Sequence, residues 1–386
     1  MAPPFPPDDE RLRAVRAALP AVGAGIYLDT ATAGPLPAET AAVMAELAEW
    51  EVRTGRASEA FREEATARLD ECRAAVAAIL TADVDEIALA SSAGGAVAAA
   101  LAEIPFRPGD VIATVAPVHA PALAPARRLA RALGLRVVEI PLEPEVPPVV
   151  EAVERATVEG PLRLVALPHV STATGRRLDV AAIAEVGHAV GASVLVDGSQ
   201  AAGALRVDVP SLGVDAYAVA GETWLLGPGG TGALWVAGER PATRLDTDAW
   251  YRPAVVGLAR SIGWLSMYVG LDWLQSRAVG LATALLERLD AIDGVDTLTV
   301  RDELATIVAF RIAGWHADEA LAELAARTFL LARAVTEVDA IRLSVAGFTG
   351  ADELERLLAA VELLAGHRPG TLPARRTLTI LDEASS

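Results

Sequence analysis

Residues 215–236 read Asp-Ala-Tyr-Ala-Val-Ala-Gly-Glu-Thr-Trp-Leu-Leu-Gly-Pro-Gly-Gly-Thr-Gly-Ala-Leu-Trp-Val, and this stretch decides the fold. Its first apolar run ends at Ala220 and predicts a strand, after which residues 221–223 form a polar turn. A glycine-rich elbow at residues 227–232 precedes a second apolar run that passes through Trp235. The stretch therefore predicts a strand, a functional loop and a second strand.

The composition indicates a soluble globular protein. Hydrophobic residues make up 53% of the 386 residues, yet no apolar run approaches the length of a membrane span. The formal net charge of -18 argues against binding to nucleic acid or to an anionic membrane, because both are polyanions. The N-terminal residues lack the basic and apolar regions of a secretion signal, so we expect a cytoplasmic protein.

The single cysteine, Cys72, lies in the amphipathic helical pattern Arg-Leu-Asp-Glu-Cys-Arg-Ala-Ala-Val. One cysteine cannot form a disulfide framework or a thiolate metal site within the chain. We interpret Cys72 as a helix-packing residue and predict no metal site.

The chain from residue 86 to residue 195 alternates strand-like and helix-like segments. Strands are predicted at 86–90, 111–115, 135–140 and 162–167, and helices at 122–133, 149–157 and 181–190. This alternation predicts a mostly parallel sheet with crossover helices, in which small-molecule sites lie at the carboxyl ends of the strands. After an irregular region at 240–260 and a helical region at 263–289, strands at 305–312 and 341–345 and helices at 317–326 and 351–364 predict a smaller α/β portion.

Residues 221–228 and 195–203 carry a family resemblance. The first, Gly-Glu-Thr-Trp-Leu-Leu-Gly-Pro, is similar to the Gly-His-Lys-Trp-Leu-Leu-Gly-Pro of class V aminotransferase-like enzymes, a group that uses pyridoxal 5'-phosphate (PLP) and includes cysteine desulfurases and carbon-sulfur lyases. The second, Leu-Val-Asp-Gly-Ser-Gln-Ala-Ala-Gly, contains Asp197 and Gln200. The resemblance implies that Asp197 pairs with the protonated pyridine nitrogen of PLP and that Gln200 approaches the ring hydroxyl. A strand-end aspartate that caps a turn is the structural alternative for Asp197.

Thr223 stands where the resembled family has the lysine that forms the Schiff base with PLP. The whole sequence contains no lysine, so all 33 residues counted as Lys plus Arg are arginines. Codon bias explains the absence of lysine from the protein surface. It does not explain the loss of a catalytic amine, because no other side chain supplies one. Glu222 stands where the family has a histidine near the phosphate, and it would bring a carboxylate close to a dianion.

Other candidate cofactor contacts follow from the same resemblance. Ser92, Ala93 and Gly94 lie at the turn into a helix N-terminus, which is a natural place for a phosphate, although Gly94 replaces an expected threonine. His119 aligns with the histidine that stacks on the cofactor ring, and a structural role is equally compatible with its position. Thr172 stands in place of an asparagine that contacts the cofactor.

Two segments are predicted to form the substrate side of the site. Arg342, in Ala-Ile-Arg-Leu-Ser, resembles the family arginine that holds the substrate carboxylate through a bidentate fork, with a structural ion pair as the alternative. The segment Tyr-Leu-Asp-Thr-Ala-Thr resembles the family's N-terminal substrate-lining loop and contributes Thr30. His169, in Pro-His-Val-Ser-Thr, is assigned a structural role.

The resemblance implies a fold-type-I PLP-enzyme architecture with a mostly parallel seven-stranded central sheet, helices on both of its faces and a smaller C-terminal α/β domain. We predict an N-terminal segment at 1–23, a large domain at 24–255, a small domain at 256–367 and a tail at 368–386. Family members are homodimers, so a homodimer is implied.

Three functions remain open. In the first, the chain is an enzyme that acts on a small amino acid with noncovalently bound PLP, and Glu222, Thr223 and His119 are the nearby groups able to move a proton. Alternatively it is an enzyme that has abandoned PLP, or a noncatalytic relative that binds a ligand or partner. Conventional Schiff-base catalysis is not expected, and the combined changes at Thr223, Glu222 and Gly94 favour the last two functions.

Overall fold

The computed structural model describes residues 5–116, 123–141, 149–238, 240–246 and 251–374. The strands are β1 (Ile26–Tyr27), β2 (Ile87–Ala90), β3 (Val111–Ala116), β4 (Arg136–Pro141), β5 (Leu162–Pro168), β6 (Ser193–Asp197), β7 (Ala216–Ala220), β8 (Gly232–Val236), β9 (Val295–Thr297), β10 (Ile307–Ile312), β11 (Leu330–Leu331), β12 (Arg333–Val335) and β13 (Ala340–Ser344). The α-helices are α1 (Glu10–Ala17), α2 (Ala38–Thr54), α3 (Glu59–Leu80), α4 (Ala93–Ala102), α5 (Ala124–Leu133), α6 (Val149–Ala156), α7 (Val180–Ala189), α8 (Arg252–Gly263), α9 (Leu271–Asp290), α10 (Ala317–Thr328) and α11 (Ala351–Ala365).

The central sheet has seven strands in the order β2-β8-β7-β6-β5-β3-β4. Strands β3 to β7 pair in parallel, whereas β8 is antiparallel to both of its neighbours. Alternate strand residues face opposite sides, and the two faces belong to separate hydrophobic clusters. Helices α3, α6, α7 and α8 contribute to one cluster, and α4 and α5 contribute to the other. The predicted mostly parallel seven-stranded sheet with helices on both faces is confirmed.

The chain after the central sheet builds a smaller sheet of four antiparallel strands in the order β12-β13-β10-β9. Its hydrophobic cluster combines residues of α9, α10 and α11 with Phe5, Ile26 and Leu28 from the start of the chain. Strand β1, which lies just after the predicted N-terminal segment, also pairs with β11 in the later part of the chain. The domain boundaries given above stay predictions.

The prediction of irregular structure is wrong for part of residues 240–260. The sequence at 240–260 was expected to be irregular, but α8 begins at Arg252. Pro253 lies in its first turn, where a missing amide hydrogen costs nothing, and Leu258 is buried on its core-facing side. The helical region that was expected to start at 263 contains a π-helical segment, Trp264–Val269, and Gly270, with φ of 82°, separates this segment from α9.

No single helix in the described ranges is both long and apolar enough to cross a membrane. One strongly bent pair, Arg252–Val269 with Leu271–Asp290, meets the length and composition criteria only when its two parts are combined.

Candidate active site

The parallel strands β5, β6 and β7 end at one edge of the central sheet, and the loops that follow them form the candidate site. These loops comprise residues 169–176, 198–203 and 221–231. Because the three strands are neighbours in the sheet, the polar side chains at their ends are brought together although they are far apart in sequence.

Asp197 is the last residue of β6 and is almost completely buried. Its Oδ1 accepts hydrogen bonds from the backbone N–H of Ser199 at 3.0 Å and from the Ser199 hydroxyl at 2.6 Å. Burial raises the pKa of Asp197, and the two hydrogen bonds from Ser199 oppose that rise. No cationic side chain pairs with Asp197 in the described residues. A buried carboxylate without a counterion is suited to a protonated ring nitrogen.

His169 and Tyr217 form a buried pair directly beneath the loop after β6. The His169 Nδ1 lies 2.8 Å from the Tyr217 hydroxyl, and the two rings meet edge to face. Burial, together with the positive charge of Arg177, lowers the pKa of His169 to about 4, so this imidazole is neutral at physiological pH. Burial also raises the pKa of Tyr217, and the Asp197 carboxylate adds to the rise. The geometry is consistent with the structural role assigned to His169.

Tyr217 explains the glycine after Asp197. A Cβ atom at Gly198 would lie only 1.9 Å from Cε1 of the Tyr217 ring, so no larger residue fits. The Tyr217 contact was not anticipated from the sequence. The available signal was a large aromatic residue in a strand next to an Asp-Gly turn.

Thr223 lies in the turn after β7 and is buried. Its hydroxyl donates a hydrogen bond of 2.8 Å to the backbone carbonyl oxygen of Ser199, which ties this turn to the loop after β6. Its own carbonyl accepts from the N–H of Leu226, which has a positive φ of 51°. The hydroxyl proton is thus committed to a backbone acceptor, and the position offers no amine.

Gln200 joins two parts of the site. Its side-chain N–H donates to the carbonyl oxygen of Ala31 at 3.0 Å, and its side-chain oxygen accepts from the indole N–H of Trp224 at 2.9 Å. One donor and one acceptor of the amide remain for another partner, so its predicted contact with a ring hydroxyl stays a prediction. Thr172 is also buried, in the loop after β5.

The turn after β2 leads into the N-terminus of α4. The Ser92 hydroxyl oxygen caps this helix by accepting from the backbone N–H of Gly95 at 3.0 Å. Ser92 is exposed, Ala93 is buried and Gly94 is partly buried. The capping bond uses the N–H of Gly95, and the other N–H groups of a first helical turn have no partner within the helix, which is why a helix start can bind an anion.

Glu222 faces the glycine-rich elbow. Its backbone carbonyl accepts from the N–H of Gly34 at 2.7 Å, and its carboxylate Oε2 lies 3.4 Å from the place that a Cβ atom of Gly229 would take. The side chain is partly buried, and within the described part of the chain no cationic group pairs with it.

Arg342 is 1% exposed and already has an acidic partner. Its Nη2 donates to Asp29 Oδ1 at 2.7 Å and to the Thr32 hydroxyl at 2.6 Å. Burial lowers the pKa of Arg342, and the Asp29 carboxylate opposes this shift. The sequence reasoning did not single out Asp29, although a strand arginine needs a counterion and Asp29 lies in the quoted N-terminal motif.

Three buried polar atoms near this ion pair have no hydrogen-bond partner among the described residues: Nε of Arg342, Oγ of Ser344 and Oγ1 of Thr30. Ser344 follows Arg342 by two residues on β13, and its backbone N–H donates to Leu28 near Thr30. These three atoms are inaccessible from outside in this structure, and the observed partner of Arg342 is the ion pair with Asp29, so the predicted carboxylate contact stays a prediction. His119 belongs to residues 117–122, outside the described residues.

The residues fit one part of PLP and not the others. Asp197 suits the ring nitrogen because it is buried and lacks a counterion. Thr223 cannot form the covalent bond of the family lysine, and Glu222, which the resemblance implies lies near the phosphate, brings a negative charge. In the described ranges no group of three or more His, Cys, Asp or Glu residues is arranged to hold a metal ion.

The comparisons with known proteins agree with this architecture. The family model of class-V aminotransferases matches residues 26–242. A probable cysteine desulfurase from Methanothermobacter thermautotrophicus is 29% identical over 332 residues, covering 78% of this chain and 82% of that protein. The cysteine desulfurase CsdA from Escherichia coli is 29% identical over 345 residues, covering 80% of this chain and 84% of that protein.

A solved structure of a C-DES mutant with glycine covalently linked to its PLP cofactor superposes with a TM-score of 0.83 at 21% identity, covering 90% of this chain and 98% of that one. At this identity the likeness shows the fold alone. The family match over more than half of the residues confirms the predicted ancestry among PLP-dependent lyases and transferases. The chain belongs to the class-V aminotransferase family.

Proposed function

We propose that this chain binds a pyridoxal-type ring noncovalently and does not carry out the Schiff-base chemistry of its cysteine desulfurase relatives. The observation that carries the proposal is the pairing of Thr223 with Ser199. The residue at the anchoring position is buried, donates its proton to a backbone carbonyl and belongs to a chain without lysine. The ring-nitrogen carboxylate, Asp197, is retained beside it.

The relatives support the ligand class. The C-DES mutant, in which a lysine is replaced by alanine, holds PLP linked to glycine, so a protein of this fold retains the ring when it is joined to an amino acid instead. In this chain Arg342, which the resemblance implies as the carboxylate-binding residue, is retained and keeps an unpartnered Nε beside its ion pair with Asp29. We therefore propose a pyridoxal-type ring, free or joined to a small amino acid, as the ligand.

When bound, such a ring supplies a protonated nitrogen that withdraws electrons from its substituents. The chain's own residues hold it in place. The Asp197 carboxylate accepts the N–H of the ring, and Ser199 keeps that carboxylate oriented. The buried His169–Tyr217 pair supports the backbone at Gly198, and both groups keep their protonation state over the physiological pH range because burial holds their pKa values away from neutrality.

Ligand-dependent thermal stabilisation tests the proposal. Four ligands are titrated separately: pyridoxal, pyridoxamine and the 5'-phosphate of each. A ligand that binds only the native state at 100 times its Kd adds roughly 2.7 kcal/mol to the free energy of unfolding, which raises Tm measurably. We expect at least one ligand to stabilise the wild-type protein, and we expect Asp197→Asn to abolish that stabilisation.

Asp197→Asn keeps the shape and the hydrogen-bond acceptor for Ser199 but removes the charge. The matched control is Asp302→Asn, a substitution of an exposed aspartate, which should leave ligand stabilisation intact. If none of the four ligands raises Tm of the wild-type protein, or if Asp197→Asn responds as the wild type does, the proposal is wrong.

A further inference from the structure

The turns that follow β2 and β7 meet at one glycine. Ala90 at the end of β2 and Ala220 at the end of β7 both pair with Gly232 of β8, so the two turns leave the sheet at the same level. A Cβ atom at Gly232 would lie 2.7 Å from the carbonyl carbon of Ser92 and 2.8 Å from the carbonyl oxygen of Val219. The start of α4 and the end of β7 therefore both approach Gly232. Strands β2 and β7 lie on either side of β8, each roughly 4.8 Å from it, and Glu222 follows β7 by two residues.

Glu222 is the one charged residue in the turn after β7, residues 221–231. A helix N-terminus is equivalent to roughly +0.5 of an elementary charge, whereas an ionised carboxylate carries a full negative charge. No arginine in the described ranges pairs with Glu222. The partial positive charge at the start of α4 is smaller than the negative charge of Glu222. It therefore cannot also offset the charge of a second anion.

The nearby hydroxyl groups add little. The Thr231 hydroxyl donates to the carbonyl oxygen of Pro228 at 2.6 Å, and the Thr223 hydroxyl donates to Ser199. Both protons are committed within the protein. A phosphate, which carries about -1.5 to -2 charges near pH 7, would meet Glu222 with only helix amides and exposed serines as donors.

Because the negative charge of Glu222 disfavours a bound phosphate, we infer that the ligand of the candidate site is an unphosphorylated pyridine: pyridoxal, pyridoxamine or an amino-acid conjugate of either. The inference rests on the function proposed above and specifies its ligand class. A neutral hydroxymethyl group carries no charge for Glu222 to repel, and its oxygen can accept a hydrogen bond from a backbone amide at the start of α4. Glu222 is then a specificity-determining residue that selects against the 5'-phosphate.

Calorimetric titration with pyridoxamine and with pyridoxamine 5'-phosphate tests the inference. The ratio of the two dissociation constants is the readout, so a general loss of stability does not imitate the effect. We expect the wild-type protein to bind pyridoxamine at least about tenfold more tightly than its phosphate, as like-charge repulsion predicts. Glu222→Gln, which removes the charge and keeps the shape, should shift the ratio towards the phosphate by about tenfold or more.

Glu63→Gln, on the exposed face of α3, is the matched control and should leave the ratio unchanged. Glu222→Ala provides a second measurement if Glu222→Gln does not fold. Equal or tighter binding of the phosphate by the wild-type protein overturns the inference and leaves the proposed function standing. A wild-type preference for pyridoxamine that neither Glu222 variant changes overturns the role of Glu222. Absence of binding for both ligands overturns the inference, and it sinks the proposed function as well if pyridoxal and its phosphate also fail to raise Tm.

Discussion

Replacing Thr223 by lysine should turn the noncovalent site into a covalent one. The substitution removes the hydrogen bond to the Ser199 carbonyl, which is worth about 1 kcal/mol, and leaves a buried acceptor to be satisfied by the new amine. The longer side chain must also fit into a packed turn, a change that typically costs 1–3 kcal/mol by order of magnitude. We therefore expect Thr223→Lys to lower the free energy of unfolding by about 1–3 kcal/mol while the protein remains folded.

The assay is reductive labelling. The lysine amine and the aldehyde of pyridoxal condense with loss of water, and borohydride reduces the resulting C=N bond to a stable secondary amine. Denaturing mass spectrometry should then show one added pyridoxyl group on Thr223→Lys, and peptide mapping should assign it to residue 223. Thr223→Met, which has a similar side-chain length and no amine, is the matched control and should stay unlabelled.

The same variant combined with Glu222→His should accept PLP as well as pyridoxal, because the second substitution removes the carboxylate. A folded Thr223→Lys protein that is not labelled would show that residue 223 does not face the bound ring. Labelling of an internal peptide in the wild-type protein would refute the noncovalent account.

Three further predictions concern the rest of the chain. Cys72 is fully buried, and burial raises its pKa to about 12, so the native protein should not react with iodoacetamide and should carry no persulfide after exposure to cysteine; labelling before unfolding would contradict this. Burial holds the pKa of His169 at about 4, against 6.5 for the free group, so the folded state keeps it neutral while the unfolded state binds a proton below pH 6.5. Stability should accordingly fall by on the order of 3 kcal/mol between pH 6.5 and pH 4, and His169→Asn should flatten that part of the urea-derived profile; an unchanged profile in the variant would be the opposing result. In the π-helical segment Met267 is 87% exposed and Tyr268 is 68% exposed, and the implied homodimer would cover both side chains. Met267→Glu should then shift the sedimentation profile towards monomer. A wild-type protein that sediments as a monomer would refute this expectation.

The central sheet was predictable because buried parallel strands are continuous apolar runs. The strand predicted at 111–115 is observed as Val111–Ala116, and the strand predicted at 162–167 as Leu162–Pro168. Helix α8 was missed because aromatic and proline residues around its start hide the helical spacing of its buried side. The proline in its first turn is nevertheless a sequence signal for the start of a helix.

The candidate site was predictable where its residues are close in sequence and less so where they meet through the fold. Asp197 and Ser199 lie in one motif, so their arrangement follows from a strand that ends in a turn. The contacts of His169 with Tyr217 and of Arg342 with Asp29 span 48 and 313 residues. Such pairs depend on strand order and register, which local sequence patterns do not specify.

The most direct test of the noncovalent site is a crystal structure of the wild-type protein with pyridoxal. We expect a ring above the loop after β6, with its nitrogen about 2.7–2.9 Å from the Asp197 carboxylate and no bond between the aldehyde carbon and the chain. A ring covalently joined to the protein, or one bound away from Asp197, would contradict it.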